Sequence, residues 1–223
     1  MLEQKPPKDR LAGRTRVLVA DDHQMLADAL KGILEPRFEV VGTVRDGRTL
    51  VETAAKLQPE IIVVDIAMPQ LNGLDAARQL KRTTPNAKIV IMTMNEDPDL
   101  VGESFRAGAS AFLLKQGAAF ELTEAIEHVL KGRSYITPSA AKGQQEIALR
   151  EPKAREHTAQ PTARQREVIQ LLAEGHSMKE VASILHITKR TVAAHKYSVM
   201  EHLQLKTNAD LVQYAIKHNI ISI

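Results

Sequence analysis

Three carboxylates, one hydroxyl and one ammonium group end apolar, β-branched runs of the chain. Asp21 and Asp22 follow RVLVA (16–20), Asp65 closes EIIVVD (60–65), Thr93 closes KIVIMT (88–93) and Lys115 follows SAFLL (110–114). Singly, each has an ordinary explanation: an Asp at a strand-to-helix junction caps a helix, Thr is common in strands, and Lys is solvated. If the runs are strands of one parallel sheet, the five groups meet at one edge and form a charge cluster. Unpaired carboxylates repel, and their pKa values rise unless a cation sits among them. Hard oxygen donors with room for water suit Mg2+, commonly held by one or two carboxylates while a phosphate completes its shell. The chemistry implied is phosphoryl transfer: Asp65 as nucleophile, the metal and Lys115 neutralising charge on the transferred group, and Thr93 donating a hydrogen bond to a phosphoryl oxygen.

These residues need elements to hold them. A further strand is predicted at FEVVGTV (38–44), and helical spacing fills the gaps: Met25, Leu26, Ala29, Leu30, Ile33 and Leu34; Leu50, Val51, Ala54 and Leu57; Leu74, Ala77 and Leu80; Leu100, Phe105 and Ala107; Leu122, Ile126, Val129 and Leu130. RVLVA and EIIVVD are apolar on successive residues, as in strands covered by helices on both faces. The pattern is (βα)5, an α/β doubly wound, five-stranded parallel sheet, whose functional groups collect beyond the carboxyl ends of the strands.

The remainder reads differently. Residues 162–218 lack strand-like runs but carry capping-box spacings at Thr162/Gln165, Ser177/Glu180 and Thr207/Asp210. Helices are predicted at about 163–174, 178–185, 189–203 and 208–218, with the pair around HIT (186–188) forming a helix-turn-helix. Val181, Ala182, Ile184, Leu185, Val192, Val199 and Leu203 make the apolar faces, with His195 read as packed beside them. Lys189, Arg190, Thr191, Ala193, Ala194, Lys196 and Tyr197 are assigned to the side that meets a major groove, and Lys179 to the first turn of the scaffold helix, where phosphate is favoured. Residues 16–137 hold 14 Lys/Arg against 17 Asp/Glu, residues 159–223 hold 8 against 5. An acidic larger half joined to a basic smaller half fits a polyanion partner for the second alone. The expected division is an N-terminal extension (1–15), a first domain (16–137), a polar linker (138–158) and a small all-α domain (159–223).

Composition narrows the function classes. With 43% hydrophobic and 26% charged residues the chain suits a packed fold, and with no cysteine it offers neither disulfides nor thiolate chemistry. The N-terminal residues do not read as a signal peptide, and no apolar stretch approaches the ~20 residues of a membrane span; a cytoplasmic protein without membrane contact is expected.

VLVADDH (17–23), IIVVDIAMPQLNG (61–73), IVIMT (89–93) and GASAFLLK (108–115) resemble the receiver domain of two-component response regulators, and TARQREVIQLLAEGHSMKEVASILHITKRTVAAHKYSVMEHL (162–203) resembles the LuxR-type helix-turn-helix. The whole chain is thus similar to response regulators of the NarL/FixJ type. The resemblance implies a flavodoxin-like receiver in which Asp65 accepts a phosphoryl group from a sensor histidine kinase. It implies that Asp22, Asp65 and the backbone carbonyl of Ala67 ligate Mg2+, that Asp21 acts largely through water, and that Thr93 and Phe112 move together as a switch. Output would be control of transcription by a homodimer on double-stranded DNA. Departures from the family pattern are Met94 after the switch threonine, Gln165 for a Glu, Met178 for an Asn and Ala193 for a Lys.

Two alternatives frame this expectation. A DNA-binding regulator whose receiver works independently of phosphorylation would keep the fold and lose the switch. A Mg-dependent aspartyl-phosphate phosphatase of the haloacid dehalogenase kind would need a second Asp two residues after Asp65, where Ala67 stands. No GxxxxGK[ST] or GxGxxG motif occurs.

Overall fold

A computed structural model describes residues 13–142 and 161–221. The first of these segments alternates β1 (Arg16–Ala20), α1 (Gln24–Leu34), β2 (Glu39–Val44), α2 (Gly47–Leu57), β3 (Ile61–Asp65), α3 (Gly73–Thr83), β4 (Lys88–Thr93), α4 (Pro98–Ala107), β5 (Ala111–Leu114), α5 (Ala118–Leu130) and β6 (Tyr135–Ile136). The strands form one sheet of order β2-β1-β3-β4-β5-β6, and every pairing is parallel. β6 is an addition to the five expected strands. Two residues are too short to carry a period, and they pair because the chain leaving α5 runs beside β5.

Alternate strand residues point to opposite faces and build two apolar layers. Leu18, Ile62, Ile89, Ile91 and Phe112 pack with Leu50 of α2, Leu74, Ala77 and Leu80 of α3, and Leu100 and Val101 of α4. Val17, Val19, Ile61, Val63, Val90 and Leu113 pack on the other face with Leu30 and Leu34 of α1 and Leu122, Ile126 and Val129 of α5. Helix starts are set by local side chains: Asp46, Asn72 and Asp97 accept hydrogen bonds from the backbone N–H groups of Thr49, Asp75 and Asp99. The first five residues of the expected linker, 138–142, are helical, and Ala140 is buried in the first layer; residues 143–158 of that linker lie outside the described residues.

The second segment contains α6 (Ala163–Ala173), α7 (Met178–Ile184), α8 (Lys189–His202) and α9 (Asn208–Lys217), within one residue of the expected bounds. All three capping boxes form, and Thr188 caps α8 through the Thr191 N–H. Gln165 accepts from the Thr162 N–H at 2.8 Å, so it performs the capping role of a Glu at this position. Val168, Leu171, Val181, Leu185 and Val192 form one small core, and Ile169, Val199, Leu211, Ala215 and Ile220 another.

Candidate functional site

The sheet brings Asp21, Asp65, Thr93 and Lys115 to its carboxyl edge, with Asp22 beside them. β1, β3 and β4 are hydrogen-bonded neighbours, and Asp65 pairs in register with Met92, one residue before Thr93. Asp21 and Asp22 do not cap α1, whose N-cap is His23 without a side-chain capping bond; Asp21 Oδ1 accepts from the His23 N–H at 2.9 Å. Both carboxylates are therefore free of the structural duty that an Asp at such a junction usually has.

Lys115 Nζ lies 2.8 Å from Asp21 Oδ2 and 2.8 Å from Asp65 Oδ2, and all three side chains are buried. Burial raises the Asp65 pKa above the ordinary carboxylate value, against the pull of Lys115, and the Asp21 charge adds to the rise. For Lys115, burial alone would depress the pKa, but the carboxylates of Asp65 and Asp21 outweigh it and hold the ammonium above its ordinary value. The result is a permanently charged ammonium beside a carboxylate that gains from a second cation.

Divalent metal fits this edge. One donor atom each from Asp21, Asp22, His23 and Asp65 lie within 4.8 Å of one another. Asp22 Oδ1 and Asp65 Oδ2 are buried, the first 2.8 Å from His23 Nδ1 and the second 2.8 Å from Lys115 Nζ, and each keeps a further lone pair. Such oxygens suit a hard cation. Thr93 is buried, and its Oγ1 accepts from the Asn95 N–H at 3.0 Å, which leaves its O–H proton available. Phe112 is buried among Ile91, Leu100 and Val101. Met94 is 62% exposed, so its side chain stands at the rim rather than in the site.

The loop carrying Ala67 is gripped from the other domain, a feature that sequence reasoning missed. Gln170 of α6 donates to the Met68 carbonyl at 3.0 Å and accepts from the Asn72 N–H at 2.8 Å. Glu174 accepts from the N–H of Gln70, at 3.0 and 3.2 Å. Arg166 pairs with Asp75 at 2.7 Å, and Glu167 with Arg48 at 3.0 Å and Gln79 at 3.1 Å. Burial raises the Glu174 pKa, while Gln170 and the Gln70 N–H oppose the shift. The only signal in the sequence is a polar stripe at 166, 170 and 174, one residue per helical turn, which looks the same as a solvated helix face.

In the helical segment Lys179, Lys189, Arg190, Ala194 and Tyr197 are exposed, and Thr191, Ala193 and His195 are half-buried. Lys196 corrects the expectation. It is 8% exposed, because it follows Val192 by four residues and precedes Val199 by three, on the buried stripe. Its Nζ lies 5.5 Å from the centroid of the Tyr197 ring. The outward stripe of α8 is Arg190, Ala194, Tyr197 and Glu201.

A model of the response regulator receiver domain matches residues 17–127, and a model of bacterial regulatory proteins of the luxR family matches residues 161–215. The transcriptional regulatory protein MctR of Rhizobium johnstonii is 32% identical over 211 residues, covering 94% of this chain and 96% of its own. DegU of Brevibacillus brevis is 30% identical, with the same two coverages. Among solved structures, the RcsB response regulator of Salmonella typhimurium superposes with a TM-score of 0.62 at 26% identity, over 90% of this chain and 96% of that one. A two-component response regulator RcsB–DNA complex aligns with a TM-score of 0.57 at 26% identity, over 90% of this chain and 97% of that one. The phosphatase alternative falls with these matches, and no helix among the described residues is long and apolar enough to cross a membrane. A carboxylate-rich sheet edge with its buried lysine, joined to a capped helix-turn-helix, thus belongs to the response regulators that couple a receiver to a LuxR-type DNA-binding domain.

Proposed function

We propose that Asp65 is the phosphoacceptor of this chain and that its phosphorylation controls binding of the 161–221 segment to double-stranded DNA. The observation that carries the reading is the Lys115 ammonium set 2.8 Å from both Asp21 and Asp65 at the carboxyl edge of the sheet. A carboxylate oxygen of Asp65 attacks the phosphorus of a phosphohistidine on a sensor histidine kinase. The P–N bond breaks as the P–O bond forms, and the electron pair returns to the imidazole nitrogen, which takes a proton from water. Asp22, Asp65 and the Ala67 carbonyl would hold Mg2+, with Asp21 behind them, and the ion would supply positive charge against the phosphoryl oxygens. Lys115 neutralises charge on the transferred group, and the Thr93 hydroxyl donates to one of its oxygens. Phe112 packs where a shift of Thr93 would be felt.

The Ala67 loop is also the loop that Gln170 and Glu174 hold, so a change at Asp65 reaches the helical domain through hydrogen bonds between the loop's main chain and these two side chains. On DNA, Lys179, Lys189, Arg190 and Thr191 supply phosphate contacts, and Ala193, Ala194 and Tyr197 face the groove. A homodimer doubling the half-sites, working in the cytoplasm, completes the reading. The test is incubation of the full chain with acetyl phosphate and Mg2+, following intact mass and DNA affinity together. A gain of one phosphoryl group with a change in affinity is expected, absent in Asp65→Asn. Labelling of Asp65→Asn equal to wild type overturns the assignment.

A further inference from the structure

We propose that Tyr197 reads the methyl group of a thymine in the major groove, and that Lys196, packed inside the helical segment, is the positioning residue that holds the Tyr197 ring for this contact. This rests on the reading of α8 as the helix that faces the groove. Tyr197 is the one large apolar side chain exposed among the described residues 161–221, at 59%. It stands in line with Arg190 and Ala194 on the outward stripe of α8. Seven residues of helix put it about 10 Å beyond Arg190, a span of roughly three base steps. On its inner side lies Lys196, a buried residue whose ammonium enters no ion pair or hydrogen bond among the described residues. What the ammonium meets is the Tyr197 ring. The ring centroid is 5.5 Å from Nζ, within the ~6 Å reach of a cation–π contact.

Packing does not explain a lysine here. Its neighbours on the buried stripe, Val192 and Val199, are apolar, and a charge among them without a counter-ion weakens the fold rather than supporting it. Methionine would fill the same space with no charge, so the role of Lys196 lies in what its ammonium touches. An exposed tyrosine by itself spreads over its staggered rotamers. A cation–π contact shifts that distribution by roughly two- to fivefold toward the rotamer that sets the ring face against the ammonium. The ring is then ordered before DNA arrives, while its outer edge stays open to the groove. Thymine alone presents an apolar group in the major groove, and the small apolar side chain of Ala194 leaves the ring room to approach it.

The experiment selects a duplex from a randomised pool with the full chain, treated with acetyl phosphate and Mg2+, and then replaces each thymine of that duplex by deoxyuridine in turn. Fluorescence anisotropy compares wild type, Tyr197→Ala, Lys196→Met and Lys196→Arg at several salt concentrations. Wild type is expected to lose about fourfold in affinity at one thymine of each half-site, the worth of one buried methyl group. Tyr197→Ala should abolish that sensitivity. Lys196→Met should cut it to about twofold or less with no fall in the thermal midpoint and no change in salt slope, and Lys196→Arg, which keeps the cation, should restore it. Full sensitivity in Lys196→Met, or none regained in Lys196→Arg, overturns Lys196 as the positioning residue. A salt slope lowered by about one unit in Lys196→Met makes it a phosphate contact and also overturns the proposal. Binding that ignores every deoxyuridine overturns the thymine contact and leaves the DNA-binding reading standing, whereas a wild-type chain that retains no duplex overturns both.

Discussion

Gly73 shows how little room surrounds Asp65. A Cβ placed there would lie 2.0 Å from the backbone oxygen of Asp65, and one at Gly47 would lie 1.9 Å from that of Leu71. Neither neighbour is a flexible side-chain end, so the backbone itself would have to move. Gly73→Ala is therefore expected to destabilise the receiver by about 1–3 kcal/mol and to slow phosphoryl uptake, measured by thermal unfolding and acetyl phosphate labelling. Asp65 makes the opposite prediction. Its pKa is raised by burial above the ordinary carboxylate value, so the folded state binds the proton more tightly than the unfolded chain, and ionised Asp65 weakens the fold above that range. Asp65→Asn should then raise the unfolding midpoint at pH 7 with divalent ions chelated. The gain should shrink as pH falls through the raised pKa and vanish below the unfolded value. A midpoint lowered at neutral pH would show that the Lys115 contact outweighs the burial.

At the scale of the element, α8 separates charge that is exposed from charge that packs. Lys196 has its stem on the buried stripe, whereas Lys189 is exposed in the first turn. Replacing Lys189 by Ala is expected to lower the salt slope of DNA binding by about one unit and to weaken all sequences alike. Lys196→Met, which keeps the apolar stem, should leave that slope unchanged, and fluorescence anisotropy at several salt concentrations compares the two. Ala193→Lys should strengthen binding, adding about 1–3 kcal/mol of preference if the new side chain reaches a guanine. Caps fix the helices that carry these groups. Ser177→Ala removes the acceptor for the Glu180 N–H and keeps only the return bond from the residue 177 N–H to Glu180, for a loss of about 1 kcal/mol by chemical denaturation.

Across the whole molecule, α6 is the joint. Arg166, Gln170 and Glu174 make ion-pair and hydrogen-bond contact with Asp75, Met68, Asn72 and Gln70. Beyond α6, Asn219 accepts from Asn95 at 2.8 Å. Removing Gln170 leaves two main-chain groups of the Ala67 loop without their partners, a larger penalty than loss of a surface contact. Gln170→Ala is expected to loosen the two domains, seen as a larger radius of gyration in X-ray scattering. It should also reduce the phosphorylation-dependent change in DNA affinity by about fivefold or more. An unchanged response would show that the signal travels by another route.

The amino-acid sequence by itself determined the alternating receiver, the capped helices and the carboxyl-edge set of Asp21, Asp22, Asp65, Thr93 and Lys115. These follow from period, cap chemistry and the direction of parallel strands, all of which act over a few residues. It did not determine β6, whose two residues take their conformation from β5. Nor did it reveal that Lys115 bridges Asp21 and Asp65, because the length of a lysine stem leaves its ammonium free until the surrounding strands confine it. Lys196 was misread because charge was taken for exposure, although its spacing from Val192 and Val199 placed the stem inside. The grip of α6 on the Ala67 loop was decided only in three dimensions. A polar stripe satisfied by water and one satisfied by another domain have the same residues and period, and only the approach of the second surface distinguishes them.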